Sequence, residues 1–253
     1  MSAPQSNWDT RAALNFICGG AGSGLLIVEP IVHPLPSPAA TVLALLLIAT
    51  GLTAVWLEIG KPLRALHVFF NPFTSWMTRE SLVAVLVFVL GAGALLEPRL
   101  GGFAAVAAAA FLWCQANILH ASKGIPAWRA HEVIALIVTT GLAEGAGLAL
   151  VFAHDPFALA IFAAALVARW LAWRAYRGEV RSPALEPAGR DLLRFGTAAA
   201  LALALAALLF TPAAWLAGLT ALATGWRLKH ALVTRASHKQ EFALPHVPVR
   251  GTR

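Results

Sequence analysis

The chain has 253 residues, of which 59% are hydrophobic and only 12% charged, with a formal net charge of +7 at pH 7. A soluble globular domain carries roughly 25% charged residues, so this composition excludes a water-soluble enzyme and places the core of the protein in lipid. The positive charge reads as membrane topology rather than as a nucleic-acid footprint, since neither a separate soluble domain nor zinc-finger spacing accompanies it.

A helix needs about 20 apolar residues to cross the hydrocarbon. Eight segments approach that length: 11–32, 38–57, 79–97, 101–120, 131–153, 156–174, 192–210 and 212–232. Pro34, Pro36, Pro38, Pro98, Pro156 and Pro212 punctuate the turns between them. The expected fold is therefore all-α, a polytopic bundle of eight transmembrane helices over residues 1–236, with a polar tail over 237–253.

The first segment follows Asp9 and has no basic stretch before it, so a cleaved signal peptide is not expected. It contains "NFICGGAGSGLLIVEP", with Gly19, Gly20, Gly22 and Gly24. No strand precedes these glycines and no Lys-Ser/Thr follows, which excludes a phosphate-binding loop. Gly20 and Gly24, one helical turn apart, form a close-packing face or leave room for a flat ligand. Asn15 can donate either to such a ligand or to a neighbouring backbone. Glu29 and His33 close this segment at the opposite face of the membrane.

The second segment ends at Glu58 and the third begins around Glu80. Between them runs a basic, aromatic loop within "WLEIGKPLRALHVFFNPFTSWMTRESLV", residues 56–83. The third segment is short of apolar residues and starts inside that loop. The fourth is alanine-rich and ends in Gln115, Asn117 and His120. The fifth carries Glu144 about twelve residues from its start, which at 1.5 Å per residue is about 18 Å deep, near the middle of the membrane. Ionisable groups there are costly. Glu144 must be protonated or paired, either as a proton relay or as a hydrogen bond that locks two helices.

Cys18 and Cys114 lie in apolar runs and imply no disulfide and no metal site. With eight crossings, eighteen of the nineteen Lys and Arg residues fall on one side, and Arg99 alone on the other. Lys and Arg in short loops stay cytoplasmic, so both termini and the 56–83 loop should face the cytoplasm. Trp8, Trp56, Trp76, Trp128, Trp170, Trp173 and Trp226 sit near the same helix ends, as an interfacial belt does.

Glu58 and Glu80 lie at this interface near Lys61, Arg64 and Arg79. They either cap helix ends in salt bridges or exchange protons with a membrane-dissolved molecule. Carboxylates at the bilayer edge suit that second role because they reach both lipid and water.

Two stretches carry a family resemblance. "LEIGKPLRALHVFFNPFTSWMTRESL" resembles the loop after the second helix in membrane-anchor subunits of the dimethyl sulfoxide reductase group, the DmsC branch of the NrfD-like set. "ILHASKGIPAWRAHEVIALI" resembles the same family's link between helices four and five. The resemblance is best over residues 11–150, and eight helices fit it. It implies a subunit that anchors a molybdopterin catalytic subunit and a ferredoxin-like subunit with four 4Fe–4S clusters. Such an anchor has no haem of its own and binds a quinone, ubiquinone or menaquinone, near the docking face. Electrons pass between the nearest cluster and that quinone.

By the resemblance, Glu80 matches the family's carboxylate at the start of helix three. Glu58 stands where the DmsC branch has a histidine, a departure from the pattern. Asn15 matches polar residues that first helices direct at quinone. Gly20, Trp76, Arg79 and His120 complete the expected quinone surroundings, with Glu144 as proton relay.

The predicted orientation puts the docked partner in the cytoplasm of a bacterial cell, beneath the inner membrane. That suits oxidation of a cytoplasmic substrate on the catalytic partner. The stretches "SKGIPAWR" and "GLAEGAGL" resemble the phenylacetyl-CoA:acceptor oxidoreductase branch, and sulfite is the other substrate expected. Two further readings stay open: a transporter or channel, and a haem b cytochrome, for which His120, His131 and His230 are the histidines that could meet.

Overall fold

The computed structural model describes residues 8–33, 37–58 and 67–237; of Glu58, only the backbone is described. Among the described residues all regular structure is helical. Eight rods follow in chain order: α1 (Thr10–Val32), α2 (Pro38–Glu58), α3 (Trp76–Leu96), α4 (Gly101–Ala121), α5 (Glu132–Ala149), α6 (Pro156–Glu179), α7 (186–206) and α8 (212–235). Six of them, α1 to α6, are long and apolar enough to cross a bilayer. The charged residues Arg190, Asp191 and Arg194 in α7, and Arg227 and Lys229 in α8, lower the apolarity of the last two.

Local chemistry sets the boundaries. Asp9 caps α1, accepting from the Arg11 N–H at 2.7 Å and the Ala12 N–H at 3.4 Å. Asp155 does the same for α6 at Phe157, 2.8 Å, and Ala158, 3.2 Å. Side-chain oxygens here satisfy backbone donors that have no partner within the helix. Ser75 accepts from the Thr78 N–H at 3.3 Å, and so α3 begins at Trp76, three residues before the boundary expected from hydropathy. Pro38, Pro156 and Pro212 each occupy the first helical position, where the missing N–H costs nothing. Glu29, buried in the last turn of α1, accepts from the Ser37 N–H at 2.7 Å beside His33 Nδ1 at 3.2 Å.

One set of helix ends is tied together. Arg11 donates to the Leu57 carbonyl at 3.3 Å, Tyr176 to Ala127 at 2.7 Å, and the Trp128 indole to Leu232 at 3.0 Å. Trp8 packs edge-on against the same Trp128 ring at 4.9 Å, so the first and last described residues sit at the same end of the bundle. α1 runs through its middle: 89% of its spanning window is buried, against 22% of α3, whose Leu82, Leu86 and Val89 face outward.

Glycine contacts bring the central helices together. Gly24 of α1 lies against the Gly141 carbonyl and Gly145 of α5, where no side-chain atom could be added. Gly147 of α5 meets Gly218 of α8, with a Cβ at Gly147 only 3.0 Å from the Gly218 Cα. Small residues let helix backbones touch in this way. Backbone cannot yield as a side chain can, so Gly145→Val should destabilise by about 3 kcal/mol or more, the upper end of overpacking. Gly102→Ala, where an added Cβ meets nothing within 4 Å, should leave thermal stability in detergent unchanged. Equal melting of the two variants would refute a glycine-mediated α1–α5 contact.

Two of the eighteen basic residues expected at the surface are interior: Arg169 and Lys229 are fully buried. Each is hydrogen-bonded inside the bundle, which hydropathy cannot register. Trp128 and Trp173 are also buried, so they pack the bundle end instead of belonging to an interfacial belt. Trp56 is half exposed, as such a belt requires.

Candidate functional site

The first helix is irregular where it matters. Asn15–Gly19 forms a π-turn between two α-helical stretches. Single π-turns displace backbone bonding and often mark functional positions. Here the Asn15 carbonyl accepts from Gln115 Nε2 of α4 at 2.9 Å. The Asn15 side chain donates through Nδ2 to Glu80 Oε1 of α3, also at 2.9 Å. One residue thus joins three helices. Gly51 of α2 closes against the same turn, with a Cβ there 3.1 Å from the Asn15 Cα. Asn15, Gln115 and Glu80 are all buried, and Asn15 Oδ1 and Gln115 Oε1 have no hydrogen-bond partner among the described residues.

This polar junction borders a cavity of about 820 Å³ between α1, α2 and α3. Its walls are apolar and aromatic, from Phe16, Leu52, Phe69 and Phe88, and the polar groups among its lining include Asn15, Glu80 and Ser81. Trp56, Met77, Val85 and Val89 also line it and are exposed on the outer surface of the bundle. The cavity therefore opens sideways, between helices, toward the region that lipid would occupy. Binding sites for small molecules share this composition: an apolar hollow with few, fixed polar groups.

A second polar cluster lies deeper. Lys229 Nζ of α8 donates to Glu144 Oε2 of α5 at 2.6 Å, and both side chains are inaccessible. The ammonium rests where a Cβ on Gly20 would stand, and Gly225 leaves the room that Glu144 fills. Arg169 of α6 lies near enough to act on Glu144 electrostatically. Its guanidinium donates to the Ala221 carbonyl at 2.9 Å and to the Gly196 carbonyl. A buried carboxylate with a hydrogen-bonded cation is the arrangement that lets charge persist in a low-dielectric interior.

The residues expected from sequence separate accordingly. Asn15 and Glu80 meet on the cavity wall. Glu144 is paired in the deeper cluster, where Gly20 serves as floor for Lys229. Arg79 donates to the carbonyls of Pro72 at 2.9 Å and Phe73 at 2.7 Å, and its guanidinium stacks on Trp76 at 4.3 Å. Arg79 and Trp76 thus order the loop before α3 and are not among the cavity-lining residues. His120 lies 3.2 Å from Lys123 Nζ and edge-on to His131 at 5.4 Å, and is not among the cavity-lining residues. The Glu58 side chain, Lys61 and Arg64 fall outside the described residues.

Sequence reasoning did not select Gln115, Lys229 or Arg169 for the site. Lys229 and Arg169 sit in apolar helices near one end, a position where long cations normally snorkel to water. Their signal was the glycines beside them, Gly20 against Lys229 and Gly196 near Arg169, which make space for buried side chains. Comparison with known proteins finds no family model and no curated protein that matches the chain.

Proposed function

We propose that this protein is the quinone-reactive membrane anchor of a multi-subunit molybdenum and iron–sulfur oxidoreductase. The observation that carries this reading is the lateral cavity with the Glu80 carboxyl on its wall. A lipid-dissolved ring can enter between α2 and α3, its apolar tail remaining toward the bilayer. The Asn15–Glu80 pair then lies on the wall that the ring reaches. Ubiquinone or menaquinone fits this chemistry, being apolar apart from two carbonyl oxygens. The volume suits such a ring, and the unpartnered Asn15 Oδ1 can accept from the O–H of the reduced form, the hydroquinone.

Reduction of a quinone takes up two electrons and two protons. In this reading the electrons come from a docked ferredoxin-like subunit, and Glu80 holds and passes protons at its carboxyl. Asn15 fixes the orientation of that carboxyl, and the aromatic walls keep bulk water away. General acid–base groups of this kind need a position within hydrogen-bond reach of the reacting oxygen.

The wider reading follows the resemblance of residues 57–82 and 118–137 to the DmsC branch. All eight rods span the bacterial inner membrane, with both termini and the basic ends in the cytoplasm. That basic face docks the four-cluster subunit, which in turn contacts the molybdopterin subunit. The substrate oxidised there is an aromatic acyl-CoA such as phenylacetyl-CoA, or sulfite.

Purification of the tagged chain in mild detergent tests this directly. Mass spectrometry should identify a molybdopterin protein and a four-cluster protein as companions, and organic extraction should yield quinone in about equimolar amount. A chain isolated alone after gentle cross-linking, without quinone, would refute the proposal. Solute flux through liposomes holding only this chain would replace it with a transporter.

A further inference from the structure

The end of α6 carries a pattern that the quinone reading does not use. In "RWLAWRAYRGEVRS", Trp170, Arg174, Arg177 and Arg181 recur at intervals of four, three and four residues. That spacing puts Trp170, Arg174 and Arg177 along one side of α6, and Arg181 follows two residues past its end. They line a second cavity, of about 760 Å³, between the end of α6 and the start of α7. Arg174 stacks on the Trp170 ring at 5.2 Å. Among the described residues none of the three arginines forms an ion pair. Among the described residues Glu186 is the one carboxylate on the lining, against three arginines, so the described lining carries a net positive charge. Val180, Leu185 and Leu193 give it apolar wall as well.

We infer that this groove binds one anionic phospholipid, its phosphate held by Arg174, Arg177 and Arg181. Three observations select a lipid over other anions. The groove sits at the end of a helix long and apolar enough to span a membrane. Directly along that helix, Val167 and Leu171 are exposed and apolar, a track for acyl chains below a headgroup at the arginines. The lining itself changes from guanidinium to aliphatic, as a headgroup and glycerol region requires. Guanidinium groups are well matched to phosphate, presenting paired donors in one plane. Basic pockets between membrane helices take phospholipid headgroups on this physical basis. The inference stands apart from the quinone reading and concerns different helices.

The purified full-length chain, exchanged into a mild detergent, would be titrated with phosphatidylglycerol and separately with phosphatidylcholine, with retention read by native mass spectrometry. One phosphatidylglycerol should be retained per chain, and phosphatidylcholine should be lost. Two variants separate a built site from general attraction. Arg174→Gln/Arg177→Gln/Arg181→Gln should weaken retention about fivefold per arginine, on the order of 100-fold together. Gly178→Phe leaves every charge in place, and a Cβ at Gly178 meets nothing within 4 Å. Its ring should fill the groove and abolish retention while thermal stability stays unchanged. Undiminished retention in Gly178→Phe, or equal retention of phosphatidylcholine, would overturn the site. Displacement of the lipid by millimolar inorganic phosphate would overturn the lipid as its occupant, as would an acidic polypeptide found there in the purified complex.

Discussion

Lys229→Met should destabilise the protein by about 3–5 kcal/mol, because it strands a buried carboxylate without its cation. Glu144 and Lys229 are 2.6 Å apart and inaccessible, so water cannot compensate either one. Glu144→Gln should cost a similar amount by stranding the ammonium. The double variant should recover most of the loss, since removing both members of a buried pair is often nearly neutral. Thermal melts of the four proteins in one detergent measure this coupling. Additive losses would show that the two groups do not act as a pair. The same variants separate the two roles open for Glu144. If the pair only locks α5 to α8, the double variant keeps its quinone turnover. If Glu144 relays protons, turnover falls even where stability is restored.

Glu80→Gln should reduce quinone turnover of the assembled complex by roughly 100-fold, the lower range for loss of a positioned acid–base group. A glutamine can still accept from Asn15 Nδ2 through its carbonyl oxygen, so the junction of α1, α3 and α4 should persist. Electron transfer to an artificial dye, which bypasses the cavity, should be unchanged. Wild-type turnover with quinone would remove Glu80 from proton exchange. Loss of dye activity as well would show that the substitution had damaged assembly.

These two carboxyls were legible to different degrees. Both were conspicuous in the sequence, because a charge inside an apolar segment is expensive and needs a reason. Their partners were not. Glu144 finds its partner 85 residues away and Glu80 finds Asn15 65 residues away. No local period links such positions. Asn15 was visible as a polar residue one turn before the glycines, yet the π-turn that brings its carbonyl to Gln115 has no simple sequence signature. Arg79 shows the reverse case. Its sequence neighbours suggested a ligand contact, but two loop carbonyls and the Trp76 ring take up its guanidinium.

By itself the sequence determined the class of the protein and the helices that build it. Composition, apolar length and prolines act within a segment, so a linear reading captures them. It also marked the α1 glycines as a contact surface, since only a missing side chain allows backbones to touch. Tertiary structure alone decided which charges are buried, which glycine admits which side chain, and where a cavity remains. Hydropathy assigns every lysine and arginine to water, whereas a matched carboxylate or backbone carbonyl can hold one in the interior. Arg169 and Lys229 are interior for that reason, and the Asn15–Glu80 junction faces a cavity because the packing of α1, α2 and α3 leaves a hollow beside it.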